Sequence, residues 1–318
     1  MNKTASIPRT RGFKWHNFLL VCVLGIATGI FLGSWYSYSL LTNTVDYSNY
    51  TVTELSDSYE DVISKVLNIS KPTKNDLENW LTIAKEKNLT PANLLPSENF
   101  ILAEYNASKA KSFKAIGNGM VETIASQSVY SEKLYDGDAY FFSSISKGML
   151  TIANLSYMKA NSSTVKLIKG TNVTPTSATW NGETKSYTPD QYYDLAGGTP
   201  DKINSYIISS KTLLNNRTED VSKTTYNDKP VYKFSFQLDP IKSVINYVKQ
   251  VKLTSGLSDY PTFNDITQTV YIDENWNFVR IEIVENYRVT FSGLQPKCKG
   301  TLNTDFTFNE PVTLPYNE

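Results

Sequence analysis

The chain has 318 residues, of which 40% are hydrophobic and 19% charged, so it can bury a core and is not a disordered protein. Its formal net charge is zero, but the first 16 residues carry four basic side chains and no acid, which leaves 27 basic and 31 acidic residues in the remainder. That acidic balance argues against nucleic acid as a partner, because contact with a phosphate backbone requires a basic surface.

The first element is an apolar segment, FLLVCVLGIATGIFLGSWYSYSLL, which no charged side chain interrupts. A helix over residues 18–41 reaches roughly 36 Å, enough to cross a hydrocarbon core of about 30 Å. The run continues into Trp35 and Tyr36, an aromatic belt rather than a cleavage site, so residues 17–41 are predicted to form an uncleaved signal-anchor. A cleaved signal peptide is the alternative. The basic tail, residues 1–16, is predicted to stay cytoplasmic, which places the bulk of the chain outside the cell membrane.

Three glycines in this segment recur every four residues and line one face of the predicted helix: Gly25, Gly29 and Gly33. Small residues at this spacing let two transmembrane helices approach closely, which predicts homo-association through the anchor. The alternative is that glycine is simply common in membrane helices.

Residues 42–110 are predicted to be a tether followed by a short helical segment. Apolar residues recur at helical spacing between residues 55 and 67, which favours a first helix. Thr73 is placed to cap a second helix, and Pro91 and Pro96 begin two short further ones.

Beyond residue 111 the apolar period changes to two, which predicts antiparallel strands with one buried and one solvated face. The clearest strands are YKFSFQL, VRIEIVENYRVTF and CKGTLNTDFTF, and turn residues occur at 136–138, 227–230 and 273–277. A GNG motif at 117–119 predicts a bulge or a hairpin.

Two helices are expected to interrupt these strands. One begins at Pro240, and another is capped by Thr188 with Pro189 at its first position. The predicted fold class is therefore α+β: an N-terminal transmembrane helix, a short helical segment, and then a large curved antiparallel sheet, half-barrel-like and covered by helices, over residues 111–318.

Few residues point to catalysis. The one histidine is His16 and the cysteines are Cys22 and Cys298, so outside the anchor region no Ser-His-Asp site, no His/Cys zinc site, no cofactor and no disulfide framework is expected. Cys298 is in phase with neighbouring apolar residues, which predicts a buried small hydrophobe rather than a reactive thiol.

Pairs of carboxylates would allow one enzyme function, that of a glycan hydrolase. The paired acids would be Asp273 and Glu274, or Glu282 and Glu285. Acids this frequent occur on any solvated strand or turn, so we expect no enzyme. Glu285 is the one acid that breaks the apolar face of its strand. It predicts either a buried polar contact in a cavity, or an acid that lies at a sheet edge or pairs with a lysine.

Three stretches, KPVYKFSFQLDPIKSVINYV, TQTVYIDENWNFVRIEIVENYRV and CKGTLNTDFTF, together resemble the closing half of LolA-type lipoprotein carriers and related lipid-binding lipoproteins. The resemblance covers residues 111–310 and is one of pattern rather than motif. It implies an open half-barrel closed by helices around an apolar cavity, with a lipid-like ligand and no catalytic residues. The anchor and the helical segment depart from the family, because an anchored carrier cannot diffuse between membranes.

The leading hypothesis is a single-pass, membrane-anchored, extracytoplasmic protein whose sheet binds an apolar or amphipathic ligand. The alternative is a structural or interaction module of a cell-envelope complex, with a solid core and no ligand cavity. In the first case the ligand-binding residues are expected on one sheet face: Phe234, Phe236, Leu238, Ile281, Ile283 and Tyr287.

Overall fold

The structure is a computed structural model of the chain. The predicted tail, the predicted anchor and its three glycines lie outside the described residues, and the boundaries drawn for them stay predictions. Within the part that is described, no helix is both long and apolar enough to cross a membrane. The structure describes residues 58–123, 125–137, 139–148, 154–160, 164–197, 217–241, 243–244, 247–255, 257–290 and 294–315.

In residues 58–110, the described part of the helical segment predicted before the sheet, there are four α-helices and a 3₁₀ turn, Pro91–Asn93. Local caps begin the first two helices, since the side chains of Ser58 and Thr73 each accept the backbone N–H three residues on. The second predicted helix is divided at Asn79, whose backbone leaves helical geometry. The helices are α1 (Tyr59–Leu67), α2 (Lys74–Glu78), α3 (Trp80–Glu86) and α4 (Pro96–Ser108).

Eleven described strands form one antiparallel sheet in the order β6-β5-β4-β3-β2-β1-β11-β10-β9-β8-β7. The sheet is open, because β6 and β7 are edge strands that do not pair with each other. The strands are β1 (Phe113–Glu122), β2 (Ser126–Tyr135), β3 (Tyr140–Gly148), β4 (Asn154–Ala160), β5 (Val165–Thr171), β6 (Thr179–Tyr187), β7 (Ser222–Tyr226), β8 (Lys229–Leu238), β9 (Thr262–Ile272), β10 (Phe278–Arg288) and β11 (Lys297–Phe308).

All three predicted turns join neighbouring strands. The turn at 227–230 contains Asn227 and Asp228 with positive φ, which is the geometry of a two-residue hairpin. The turn at 273–277 places Trp276 at φ 55° and directs its side chain into the protein interior.

Two further α-helices of the described residues follow strands β6 and β8 in the chain. Helix α5 (Pro189–Ala196) is capped by Thr188 as predicted, and it ends at Gly197 with φ 77°. Helix α6 (Tyr247–Ser255) begins later than the predicted start at Pro240. Asp239 contributes to this difference, because its side chain accepts the N–H of Ile241, and Ile241, Ser243 and Val244 are in turns.

The helices divide one face of the sheet, which we call the inner face, into a covered part and a central part. The main helix–sheet contacts are those of α4 with β8 on one side, and of α6 with β4 and α5 with β6 on the other. On the opposite, outer face, Val312 and Leu314 of the C-terminal segment pack over Leu134, Phe141 and Ile168.

The helical segment and strands β8–β11 share one apolar core, and Trp276 joins them. Its indole N–H donates to Asn99 Oδ1 over 2.7 Å, and its ring lies edge-on to Trp80 at a centroid distance of 5.2 Å. Asn99 is itself fully buried and donates to the carbonyls of Pro91 and Leu94. The β9–β10 turn therefore packs against the helical segment, and both the indole N–H and the Asn99 amide have hydrogen-bond partners there.

We predict that Trp276→Phe lowers the free energy of unfolding by about 2 kcal/mol or more, because it leaves the buried Asn99 oxygen unpaired and removes ring volume. Far-UV circular dichroism during thermal or urea unfolding of the full chain measures this loss. Trp180→Phe, in the edge strand β6, is the matched control and is expected to cost less than about 1 kcal/mol. Equal losses for the two variants would contradict the role of Trp276.

Candidate ligand site on the inner face of the sheet

Residues that pair directly across antiparallel strands point to the same face, so the strand register identifies the inner face. From the core outward its composition changes from large and apolar to small and partly polar. One row of paired residues runs Phe234, Val270, Ile281, Thr304, Gly117, Ser131 and Ser144, and the next runs Phe236, Gln268, Ile283, Leu302, Gly119, Val129 and Ser146.

The middle of these rows forms the central strip, which lies on β11, β1 and β2 between the contact of α4 with β8 and that of α6 with β4. Helix α6 also reaches β9 and β10 at one end of the sheet, where Tyr247 packs against Phe263 and bonds to Glu285. Apart from Gly117, its residues are half-buried, neither closed in the core nor fully open to solvent. Three of its six residues are glycine or serine, so their side chains extend little above the backbone. The central strip consists of Gly117, Gly119, Val129, Ser131, Leu302 and Thr304.

The GNG motif lies in this strip, and the prediction of a bulge or hairpin there is wrong. Strand β1 runs through Gly117 and Gly119 with unbroken pairing on both sides. The glycines are needed for close approach instead: a Cβ on Gly117 would meet the hydroxyl of Ser131 and, at 3.1 Å, the side chain of Leu302.

The six residues predicted to bind ligand all lie on the inner face, but in its covered part. Each is 0–5% exposed and belongs to the core beneath the helical segment. Phe100 of α4, for example, packs against Phe236 with ring centroids 5.8 Å apart. Their role as ligand contacts stays a prediction, because in this arrangement protein side chains already occupy their surroundings.

Gln268 of β9 is the polar exception in this apolar core. It is 0% exposed, it points to the same face as Ile266 and Val270, and it pairs with Phe236 and Ile283 on the neighbouring strands. In the described part of the chain neither its amide oxygen nor its amide nitrogen has a hydrogen-bond partner. An unpaired buried amide costs free energy, which sets Gln268 apart from the apolar residues around it.

Glu285 of β10 lies beside Gln268 and is 7% exposed. It is opposite Ile266, which makes it a diagonal neighbour of Gln268 on the adjacent strand. Its side chain leans across Gly300 of β11 towards the central strip, since a Cβ on Gly300 would lie 2.7 Å from Glu285 Cγ and Oε1. One carboxyl oxygen, Oε2, has no partner among the described residues.

The sequence left two interpretations of Glu285 open, and the structure decides between them. The acid is not at a sheet edge and pairs with no lysine in the described part of the chain; the Tyr247 hydroxyl of α6 donates to it instead. It is a buried polar contact, as the other interpretation predicted. Burial raises its pKa to about 7, and the bond from Tyr247 offsets part of that rise.

The groups around Glu285 stay uncharged at neutral pH. Burial, with the nearby Glu285 carboxyl adding to it, raises the pKa of the Tyr247 and Tyr287 hydroxyls, and it raises the pKa of the Cys298 thiol to about 12. Cys298 is 3% exposed, so the prediction of a buried small hydrophobe is confirmed.

The carboxylate pairs considered for glycan hydrolysis are not arranged as catalytic pairs. Glu282 points to the outer face, where it accepts from Arg280 and Tyr271, whereas Glu285 points to the inner face. Asp273 accepts backbone N–H groups within its own turn. Among the described residues there is also no group of three or more acids, cysteines or histidines that could hold a metal ion.

Gln268 is the residue that the sequence interpretation missed. The signal was present in DITQTVYI, where Gln268 stands in phase with Ile266, Val270 and Ile272. Its flanking threonines make the stretch look evenly polar, which hides the one polar residue on the buried face.

We predict that the stability of the protein falls as pH rises from about 4.5 to about 7, and that Glu285 causes part of this fall. In that window the native state holds a proton on Glu285 that the unfolded chain, with the ordinary pKa of 4.5, has lost. The contribution is on the order of 3 kcal/mol, fully present below pH 4.5 and lost above pH 7. Urea unfolding of wild type and Glu285→Gln at several pH values measures it, and parallel profiles would contradict it.

No protein-family model and no curated protein matches the chain. Among solved structures, a LolA superfamily protein from Nitrosomonas europaea is similar at 10% identity over 70% of this chain and 96% of that one, with a TM-score of 0.23. A porin-like protein from Bacteroides uniformis is similar at 11% identity over 63% of this chain and 97% of that one, with a TM-score of 0.19. The topology given above rests on this chain's own strand register rather than on these similarities.

Proposed function

We propose that the protein binds an amphipathic, lipid-like molecule on the inner face of the sheet, above the central strip, without catalysing a reaction. The observation that carries this proposal is the change along the inner face. Where helices cover it the face is large and apolar, and between the helices it is lined by small, half-buried residues.

The chemistry of the strip supports a ligand with both apolar and polar parts. Val129 and Leu302 offer apolar contact, while Ser131 and Thr304 offer hydroxyl groups on the same surface. A mainly apolar surface with a few polar groups is the usual lining of a small-molecule site. The buried carboxyl of Glu285 adjoins it on the side of the core, because this side chain leans across Gly300 of β11.

The location of the protein is part of the same proposal. The apolar segment 17–41 holds the chain in a membrane, with the basic tail in the cytoplasm and the sheet outside. An anchored binding protein receives or presents its ligand at the membrane surface rather than carrying it between membranes.

An interaction module with a solid core is a second candidate, and one observation favours it. The six residues predicted to contact ligand are packed against protein side chains, so the covered part of the inner face offers a partner molecule no surface. The two candidates differ at the central strip, which is a binding groove in the first and has no ligand in the second.

We predict that a photoreactive, clickable fatty acid fed to cells crosslinks to peptides of the central strip in the full-length chain. Ser131→Trp fills the groove and is expected to reduce this labelling at least several-fold, as measured by mass spectrometry of the purified, digested protein. Ser128→Trp places the same side chain on the outer face of the same strand and should leave labelling unchanged.

The predicted anchor is an internal control in this experiment, because a segment inside the bilayer is labelled whatever the sheet does. Labelling of residues 17–41 with none on the central strip would contradict ligand binding and favour the interaction module.

A second prediction concerns topology. Lys185→Cys, on the exposed edge strand β6, should react with an impermeant maleimide added to intact cells, in a background lacking the two native cysteines. Ser6→Cys, in the basic tail, should react only after permeabilisation. The reverse pattern would place the sheet in the cytoplasm and rule out the proposed location.

A further inference from the structure

The three most exposed large apolar side chains of the described residues lie in connections between strands. Ile241 is 76% exposed, Leu294 63% and Tyr260 55%. A single exposed apolar residue is common on a protein surface and needs no explanation. Several of them at one place usually mark an interaction site, so their positions relative to each other decide what they indicate.

The strand order places these three residues at the same end of the sheet. Strands β8 and β10 end where β9 and β11 begin, because neighbouring strands are antiparallel. Ile241 comes three residues after the end of β8, Tyr260 two residues before β9, and Leu294 three residues before β11. The Val289 N–H donates to the Pro296 carbonyl and closes the β10–β11 connection behind Leu294. We call Ile241, Tyr260 and Leu294 the apolar end of the sheet.

Basic residues are concentrated in the same two connections. Residues 286–299 include three basic side chains and no acid, and residues 240–262 include three lysines and one acid, Asp259. The chain beyond residue 16 has the opposite balance, with 31 acidic and 27 basic residues. Lys252 of α6 lies over the Tyr260 ring, with its Nζ 4.5 Å from the ring centroid. Positive charge and exposed apolar surface therefore occur together at this end.

Two of these basic residues, Arg288 and Lys297, lie directly opposite each other on β10 and β11. Like charges in such a pair destabilise a sheet, and burial and the charge of Arg288 lower the pKa of Lys297. Arg288 is exposed and forms no ion pair in the described part of the chain. An anionic partner outside the chain would remove the repulsion between the two side chains.

We propose that the apolar end docks on the surface of an anionic lipid bilayer. Its three exposed side chains enter the interfacial region, while Arg288 and Lys297 bind lipid phosphate groups. Exposed apolar side chains, an aromatic ring and several basic residues together are the composition that binds such an interface.

The bilayer is the one that holds the predicted anchor. Residues 42–57, between that anchor and the described residues, reach at most roughly 55 Å when extended, so the sheet can lie against the membrane surface. Strand β11 begins at the apolar end and β1 ends there, so docking also brings one end of the central strip to the bilayer. The inference rests on the proposed location of the chain and does not require a ligand on the strip.

The test uses the full-length chain in lipid nanodiscs, with Cys22→Ser and an environment-sensitive dye on Leu294→Cys; the remaining thiol, Cys298, is buried. The discs contain phosphatidylcholine alone or mixed with phosphatidylglycerol, and each is prepared with and without a spin-labelled lipid that quenches the dye on contact. We expect several-fold stronger quenching in the anionic discs. The same dye on Lys229→Cys, in the β7–β8 hairpin at the opposite end of the sheet, should not be quenched.

Charge variants test the basic pair. Arg288→Gln combined with Lys297→Gln should lower quenching at Leu294→Cys several-fold, because each basic side chain near an anionic surface strengthens binding about fivefold. Thermal stability should stay unchanged or rise, since the like-charge pair is gone. Lys223→Gln combined with Lys229→Gln removes the same charge from β7 and β8 and should leave quenching unchanged.

Equal quenching at the two dye positions, or none at either, overturns docking by this end. A blue-shifted dye at Leu294→Cys that the spin-labelled lipid does not quench would show that protein, such as a second copy of the chain, covers the apolar end, and it also overturns the inference. Equal quenching in neutral and anionic discs overturns the choice of an anionic surface. None of these outcomes depends on a molecule on the central strip, so crosslinking of strip peptides tests the proposed function separately.

Discussion

The hydrogen bond from Trp276 to Asn99 fixes the helical segment on one side of the sheet, and the candidate site follows from that position. Trp276 reaches the helices because the β9–β10 turn holds it at positive φ, a conformation that a large residue adopts only when its surroundings compensate for the strain. Asn106 of α4 adds to the contact by donating to the carbonyls of Asn275 and Trp276. With the helices held over β8–β10, the small residues of β11, β1 and β2 are left between two helical groups.

Much of the fold could be predicted because its signals are local. Alternation identified the buried faces of β8, β10 and β11, and single residues such as Thr73 and Thr188 identified helix starts, because a cap needs only a backbone N–H three residues on. The spacing of the glycines in β1 predicted a bulge or a hairpin, which is wrong. Glycine is needed at position 117 because a larger residue would collide with the Ser131 side chain on β2.

The candidate site was harder to predict because it depends on long-range packing. The apolar face containing Ile283 was identified, but the part of it that helices cover is decided by contacts such as that of Phe100 with Phe236, which are far apart in the chain. The same holds for Glu285, whose partner Tyr247 belongs to a helix that starts later than the apolar pattern suggested. A polar residue on a buried face is visible in sequence, whereas what pairs with it is not.

The account depends on the claim that a ligand lies on the central strip of the inner face. An experimental structure of the full-length protein, purified from its membrane, tests this most directly. We expect elongated density above the residues of β11, β1 and β2 that form the strip. A strip covered by the polypeptide itself, with no such density, would contradict the claim.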